Sequence, residues 1–499
     1  MSPTPLARLR SLFDMYSPSP VSRVVVLVTM ALGVVLLAGA VSTGSGIGAL
    51  PFLLLVWANH ERFLATLDGL FERHGWFVLA VPLGVFVAKM LMVPPTASDD
   101  LLRHIASAFW PGGYADMYVH TALPPVELYP AFDWFVGGLA RSLGPAPTMW
   151  LMQALAFGAF VWVFVAAARR LLGGHPAASV LTLVALVLVL EIMAGRLMLA
   201  RPEIFMTTWA LAGLLVSGRV GLAAWLATGL ASGSAYWLAP LYFPAVLLIA
   251  ASWRARLGVL AFLLAGWATL WGLMTGGAIV DAALWTFAQV ANRIPGMAVS
   301  ENMSIVNVLL APQMLALALG SAWAATRATA DNRLLWLALY FLLSNQARYG
   351  GIVAPLFALH LLSALRTAAV PLSAPWRSVV VAMATVSLSL LSNGIPRYQM
   401  LPRFDLPEGS VVLTGFSEAT YSTLFVNPGK VKVAPAFEIG AASARVQELV
   451  QGLSQGRLDC GTLNGLAFTH LIENTLTGAS LPCLTLDATQ AGWRLWRVH

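Results

Sequence analysis

Val180–Leu190 reads VLTLVALVLVL, an uncharged run whose only polar side chain is that of Thr182. A helix built from it is apolar on every face, which suits burial or lipid and not a water-facing surface. The run is the middle of an apolar window near bilayer length. Similar windows recur along the 499-residue chain, centred near Leu32, Leu53, Gly84, Gly158, Leu186, Ala210, Thr228, Ala245, Ala265, Leu315, Leu339, Phe357 and Thr385. At roughly 15–20 residues each they make about thirteen candidate transmembrane helices.

Composition agrees. Hydrophobic residues make up 59% of the chain and charged residues 10%, against roughly 45–50% and about 25% in soluble domains. With a mean hydropathy of +0.77, no aqueous fold of this size hides so much apolar surface. The chain therefore reads as a polytopic α-helical membrane protein, which excludes a cytosolic enzyme and a disordered tail protein. The formal net charge of +7 does not point to nucleic acid, because the basic residues stand singly between apolar spans, as topology signals do. The first span follows Arg8, Arg10 and Arg23 and ends in Leu-Ala-Gly-Ala, like a signal peptide; a second apolar run after a short Gly/Ser turn favours an uncleaved anchor.

Basic residues near span ends stay in the cytoplasm. With the N-terminus inside, inner loops carry Arg62 and Arg73, Arg169 and Arg170, Arg219, Arg254 and Arg256, Arg327 and Arg333, and Arg366 and Arg377. Outer loops carry Arg103, Arg141, Arg196, Arg201, Arg293 and Arg348. An odd number of spans then puts everything after Pro396 outside. Two units follow: a transmembrane domain over residues 1–396, including an outward loop from Pro94 to Pro147, and a C-terminal domain over 397–499. The only two cysteines, Cys460 and Cys483, lie in that tail. A disulfide between them requires an oxidising compartment such as the periplasm.

The tail shifts from continuous apolar runs to alternating patterns. Ser410–Phe416, Ser422–Val426 and Val431–Val433 read as strands, Ala442–Leu453 and Leu463–Leu476 as helices, and the closing Gly-Trp-Arg-Leu-Trp-Arg-Val as a last strand. This is a small α/β domain.

Charge concentrates in the outward loop. Pro94–Arg141 reads PPTASDDLLRHIASAFWPGGYADMYVHTALPPVELYPAFDWFVGGLAR and holds Asp99, Asp100, Arg103, His104, Asp116, His120, Glu127, Asp133 and Arg141. Ser98 is placed to cap a helix starting at Asp99, whose carboxylates suit the positive end of its dipole. Helical spacing sets Asp99 beside Arg103 and Asp100 beside His104. Two adjacent carboxylates at the mouth of a span fit proton abstraction from a hydroxyl, or coordination of a divalent cation; the plain structural alternative is a capped interfacial helix whose acids pair with Arg103 and His104. His104 and His120 are candidates to join the acids in a metal site, but their spacing assigns no metal. No cofactor is fixed by the sequence, and the Gly-Lys-Ser/Thr phosphate loop, HExxH, G-x-S-x-G and CxxC motifs are absent from it.

With Ser98-Asp99-Asp100 and Arg103 directly after an early span, a long first outward loop, many further spans and an outward tail domain, the chain resembles the GT-C superfamily of membrane glycosyltransferases. The likeness is to bacterial members related to protein O-mannosyltransferases and the lipid A aminoarabinose transferase. It implies that the first acid, Asp99, with Asp100 a close second, is the base that activates an acceptor hydroxyl for attack on a polyprenyl-phosphate-linked sugar, usually with inversion. The hairpin Val24–Trp57, ahead of the span that leads into the acidic loop, departs from the family pattern.

A leaving phosphate gathers charge as the glycosidic bond breaks and calls for cations. Arg196, Arg201, Arg293 and Arg348 lie on the outward side; Arg201 opens Arg-Pro-Glu, and Arg348 with Tyr349 precedes two glycines that permit close approach of a headgroup. Snorkelling to the interface is the plain alternative for each arginine. Asp281–Asn302 carries an apolar stripe of Trp285, Phe287, Val290 and Ile294 that suits the interface.

The sequence thus points to a multi-pass enzyme of the bacterial inner membrane. Its partners would be membrane lipid, a polyprenyl-phosphate-linked sugar donor and a glycan, lipid or protein acceptor. A transporter or lipid flippase is the reading from another class, although the two halves show no clear repeat of the kind many transporters carry. A noncatalytic assembly subunit is a third.

Overall fold

The computed structural model of the protein describes residues 100–121, 129–175, 178–215, 223–224, 226–231, 236, 238–248, 252–274, 276, 281, 305–344, 349–367, 401–415, 417–434, 442–474 and 482–499. The windows centred near Leu32, Leu53, Gly84 and Thr385, the cap Ser98, and residues 282–302 with their apolar stripe lie outside them.

The charge-rich loop contributes three helices: α1 (Asp100–Ser107), α2 (Tyr114–Met117) and α3 (Pro130–Leu143). Membrane-type helices follow as α4 (Pro145–Leu172), α5 (Ala178–Leu199), α6 (Pro202–Ala212), α7 (Trp253–Met274), α8 (Ile305–Leu309), α9 (Pro312–Ala325), α10 (Asn332–Leu343) and α11 (Gly350–Leu365). Among the described residues α4 and α7 are long and apolar enough to cross a bilayer. Helix α4 starts with Pro145 at its first position, where the missing N–H costs nothing. It ends at Gly173, with φ of 60°, after Arg169 and Arg170 have placed positive charge on the negative end of its dipole.

Helix α11 is the centre of this bundle, buried along almost its whole length and flanked by α4, α5, α9 and α10. Helix α7 is its opposite, turning Trp253, Leu257, Phe262, Leu264, Leu270 and Leu273 outward. An apolar helix face of that extent is stable against lipid, not water. One span differs from the reading of the sequence: the window near Ala245 forms a 3₁₀ helix over Ala239–Leu248. Pro240 stands in its first turn, where the N–H has no ladder partner, while Pro244 inside it removes a ladder N–H and its ring disfavours the α-helical conformation of the preceding residue.

The tail folds as β1 (Val411–Thr414), α12 (Ser417–Val426), β2 (Lys432–Val433), α13 (Ala444–Ser454), α14 (Cys460–Gly465), β3 (His470–Glu473), β4 (Leu484–Gln490) and β5 (Trp493–Val498). The sheet order is β2-β1-β3-β5-β4, with β1 parallel to β2 and β3, and β5 antiparallel to both neighbours. Two expectations are corrected. Ser422–Val426 is the end of helix α12, not a strand. Its polar side chains are buried along with the apolar ones, Thr420 against Thr414 and Ser422 donating to the Pro402 carbonyl at 2.6 Å, so the sequence carries no helical stripe. Leu463–Leu476 is not one helix: α14 stops at Gly465, and His470–Glu473 is the fully buried central strand β3. The edge strand β4, mostly exposed, escaped the hydrophobic pattern altogether.

Cys460, at the start of α14, is disulfide-bonded to Cys483, just before β4. Loop and tail also share structure. Tyr118 bridges to Val433 and Thr121 to Ala442, with the Val119 N–H donating to the Val433 carbonyl at 3.0 Å and the Ser443 N–H to the His120 carbonyl at 2.8 Å. The loop thereby lengthens the tail sheet beyond β2, and Ala106, Tyr114, Met117 and Tyr118 enter one apolar core with Phe404, Leu406, Val412 and Leu424.

Candidate functional site

Helix α1 carries the second residue of the acidic pair, Asp100, at its first position. Asp99 and Arg348 lie outside the described residues. The rest of α1 is packed on all sides: Leu101, Leu102 and Ile105 join the membrane-helix core, while Ala106 joins the tail core. The helix is therefore wedged between the two units.

Arg103 and His104, expected to meet substrate, are enclosed instead, at 3% and 0% exposure. The imidazole is held by Asp133 on α3 through Nδ1, and the Tyr114 hydroxyl lies 3.2 Å from the same nitrogen. A carboxylate only accepts, so Nδ1 carries the proton in this pair. Nδ1 is met from α3; the side chain of Asp100, the expected neighbour one helical turn away, lies outside those described. Tyr129 and Phe132 pack edge-on to the ring at 5.1 Å each. Arg103 faces the rings of Tyr114, Tyr129 and Tyr421.

Asp133 was one charge among many in the loop. Its place in the first turn after Pro130 is a legible helix-start signal, but its partner lies 29 residues upstream, a separation no local pattern encodes. His120 takes another path, its ring 5.1 Å from Phe468 in the tail. Among the described residues no group of three or more His, Cys, Asp or Glu side chains comes together to hold a metal.

A second polar cluster lies where α5 turns into α6. Arg196 donates to Glu203 at 2.7 Å, so the charge of this outward arginine is already matched. Glu203 is buried, and a buried carboxylate needs such a partner. Arg201 caps α6 from an extended conformation, after Ala200 has taken a φ of 47°, and is half-buried. Tyr349, the residue before α11, is buried at 3% exposure. Its ring lies 6.4 Å from that of Tyr242, whose hydroxyl is hydrogen-bonded to Thr207.

Tyrosines join the two clusters. Tyr129 stands edge-on to His104, stacks on Tyr236 at 6.0 Å, and Tyr236 meets Tyr242 at 6.2 Å. Sequence reasoning missed Tyr236 and Tyr242, since an aromatic in an apolar span reads as ordinary packing, and Tyr114, Tyr129 and Tyr421, whose approach to Arg103 no local pattern encodes. The structure brings Arg103, His104 and Tyr349 onto one continuous aromatic row, with the Arg196–Glu203 pair beside its inner end.

No protein-family profile and no curated protein matches the chain. Among solved structures it is similar to the oligosaccharyltransferase of Archaeoglobus fulgidus in the apo form, with a TM-score of 0.52 and 12% identity over 81% of this chain and 70% of that one. Structures of the Archaeoglobus fulgidus enzyme tethered to an acceptor peptide, and with an inhibitory peptide and a dolichol-phosphate, superpose more loosely at 0.45 and 0.46, with 11% and 12% identity over the same shares. At 12% identity the likeness to the apo enzyme is one of fold alone.

Proposed function

We propose that this chain is a GT-C-type glycosyltransferase that moves a sugar from a polyprenyl-phosphate-linked donor to an acceptor hydroxyl, with inversion, at the periplasmic face of a bacterial inner membrane. The observation that carries the reading is the fold likeness to a transferase over 81% of the chain, together with an acid-bearing helix wedged between membrane bundle and tail. In this reading the chain belongs with the protein O-mannosyltransferase and aminoarabinose transferase types, and Asp99 takes the proton of the acceptor hydroxyl as it attacks the sugar, with Asp100 beside it. Arg201 and Arg348 meet the phosphate as the bond to the sugar breaks, and Tyr349 borders the headgroup. Arg196, matched by Glu203, holds the turn that presents Arg201. Arg103 and His104, enclosed, act on the substrate by holding α1.

Purified protein given a panel of polyprenyl-phosphate sugars and candidate glycan, lipid and protein acceptors, with and without a chelator, tests the proposal. The expected result is transfer of one sugar class. Movement of the lipid across vesicles with no transfer to any acceptor would instead favour the transporter reading, and the chelator arm decides whether a divalent cation takes part.

A further inference from the structure

Helix α12 of the tail is buried on two sides. Tyr421 and Phe425 pack into the core of the membrane helices, while Ala419 and Leu424 pack into the core of the tail. From that position Tyr421 reaches Arg103. The guanidinium carbon lies 5.5 Å from the ring centre of Tyr114, 5.9 Å from that of Tyr129 and 6.0 Å from that of Tyr421. A cation removed from water needs compensation, and the negative faces of aromatic rings supply it, more strongly the better the site is desolvated. Two of the rings belong to the loop that bears Arg103. The third does not, so the cage is complete only when the tail is docked.

The consequence reaches the start of α1. His104, the next residue, is pinned from the bundle side by Asp133 on α3, and Arg103 is pinned from the tail side by Tyr421. The helix is short, Asp100–Ser107, and side chains one turn from its first residue hold it from both directions.

We propose that Tyr421 is a positioning residue: through its ring face on Arg103, the tail domain fixes the orientation of α1 and with it the acidic pair at its start. The catalytic part of this proposal rests on the glycosyltransferase reading above; the structural part does not. Tyr421 is given no part in the chemical step; its role is to hold Arg103.

The test uses the full chain in micelles, with Tyr421→Phe, which keeps the ring, and Tyr421→Leu, which removes it. Hydrogen exchange over residues 100–107 should quicken in Tyr421→Leu by roughly 2- to 30-fold, the span a single cation–π contact supports, and change little in Tyr421→Phe. The transfer rate constant should fall by a similar factor in Tyr421→Leu while the KM for the donor stays near the wild-type value. Arg103→Met attacks the contact from the other side with the tail untouched, and in that background Tyr421→Leu should quicken exchange by a smaller factor than it does alone, because the shared contact is already gone. Wild-type exchange over residues 100–107 in Tyr421→Leu would overturn the proposal, as would equal damage from Phe and Leu, or additive effects of Arg103→Met and Tyr421→Leu. Exchange that responds as expected in a protein transferring no sugar would uphold the positioning and remove the glycosyltransferase reading.

Discussion

The Asp133 carboxylate accepts the Nδ1–H of His104 across 29 residues of sequence, tying α3 to a helix that carries an acidic residue at its start. The imidazole is wholly buried. Asp133→Ala removes the carboxylate partner and leaves Nδ1 only the longer contact with the Tyr114 hydroxyl at 3.2 Å; weakening a buried polar group's bonding in this way costs up to roughly 1–3 kcal/mol. Asp133→Asn, whose amide oxygen still accepts, should cost less. Thermal unfolding of the solubilised protein separates the two; equal stability of Asp133→Ala and wild type would show that the contact contributes nothing.

Protonation should weaken the tail. Burial pushes the His470 imidazole below its ordinary 6.5, Arg497 pushing the same way and Asp487 opposing. The Thr462 hydroxyl, with backbone N–H groups, holds the exposed Asp459 carboxyl below its ordinary 3.8. Both groups bind protons more readily unfolded than folded, so stability falls with falling pH. The His470 share is complete above about 6.5 and is lost as the pH drops from there toward the folded value; the Asp459 share goes only in stronger acid. Protection of the β3 amides, with the intrinsic pH dependence of exchange divided out, should therefore fall between neutral and mildly acid pH, and His470→Gln should flatten that slope. A slope unchanged in the variant would assign the effect elsewhere.

Legibility followed the range of the interaction. The apolar windows near Gly158 and Ala265 became α4 and α7 because a bilayer-length run is a local property. Val411–Thr414 read as an apolar, β-branched run and Trp493–Val498 as an alternating one, and both are strands. Helix α12 was misread because Thr420, Ser422 and Thr423 are buried by their tertiary setting and not by their own character, and β4 because an exposed edge strand has no apolar face to show. At the site, the charged residues of the loop stood out by their density in a chain with few charges. Which of them meet did not: the His104–Asp133 pair and the Arg103–Tyr421 contact each depend on chain folded back from a distance.

The bridge between Cys460 and Cys483 turns topology into a chemical test. Closing a loop of that length stabilises the tail by about 3 kcal/mol in the chain-entropy model, so Cys460→Ser with Cys483→Ser should lower the unfolding temperature of the tail. With both sulfurs engaged, a membrane-impermeant maleimide should leave intact cells unlabelled, and an impermeant reductant should expose both thiols to it. Labelling that appears only after the inner membrane is opened would put the tail in the cytoplasm and remove the periplasmic reading.

Asp99→Asn is the substitution on which the mechanism turns. A hydroxyl is a weak nucleophile at neutral pH because its proton must leave as the new bond forms, and a carboxylate within reach assists by about 10²–10⁴-fold. The amide of asparagine has nearly the same shape and cannot take that proton. Transfer by Asp99→Asn should therefore fall by roughly that factor, with donor affinity preserved, because the proposed mechanism gives the phosphate to arginines from other parts of the chain. Asp100→Asn should do less, its place being beside the base. Single-turnover transfer, with donor binding measured separately, distinguishes the cases. Loss in Asp100→Asn with near-normal turnover in Asp99→Asn would move the role one residue along α1, whereas near-normal turnover in both would sink an aspartate base altogether and leave the arginines as the only candidates for transition-state stabilisation.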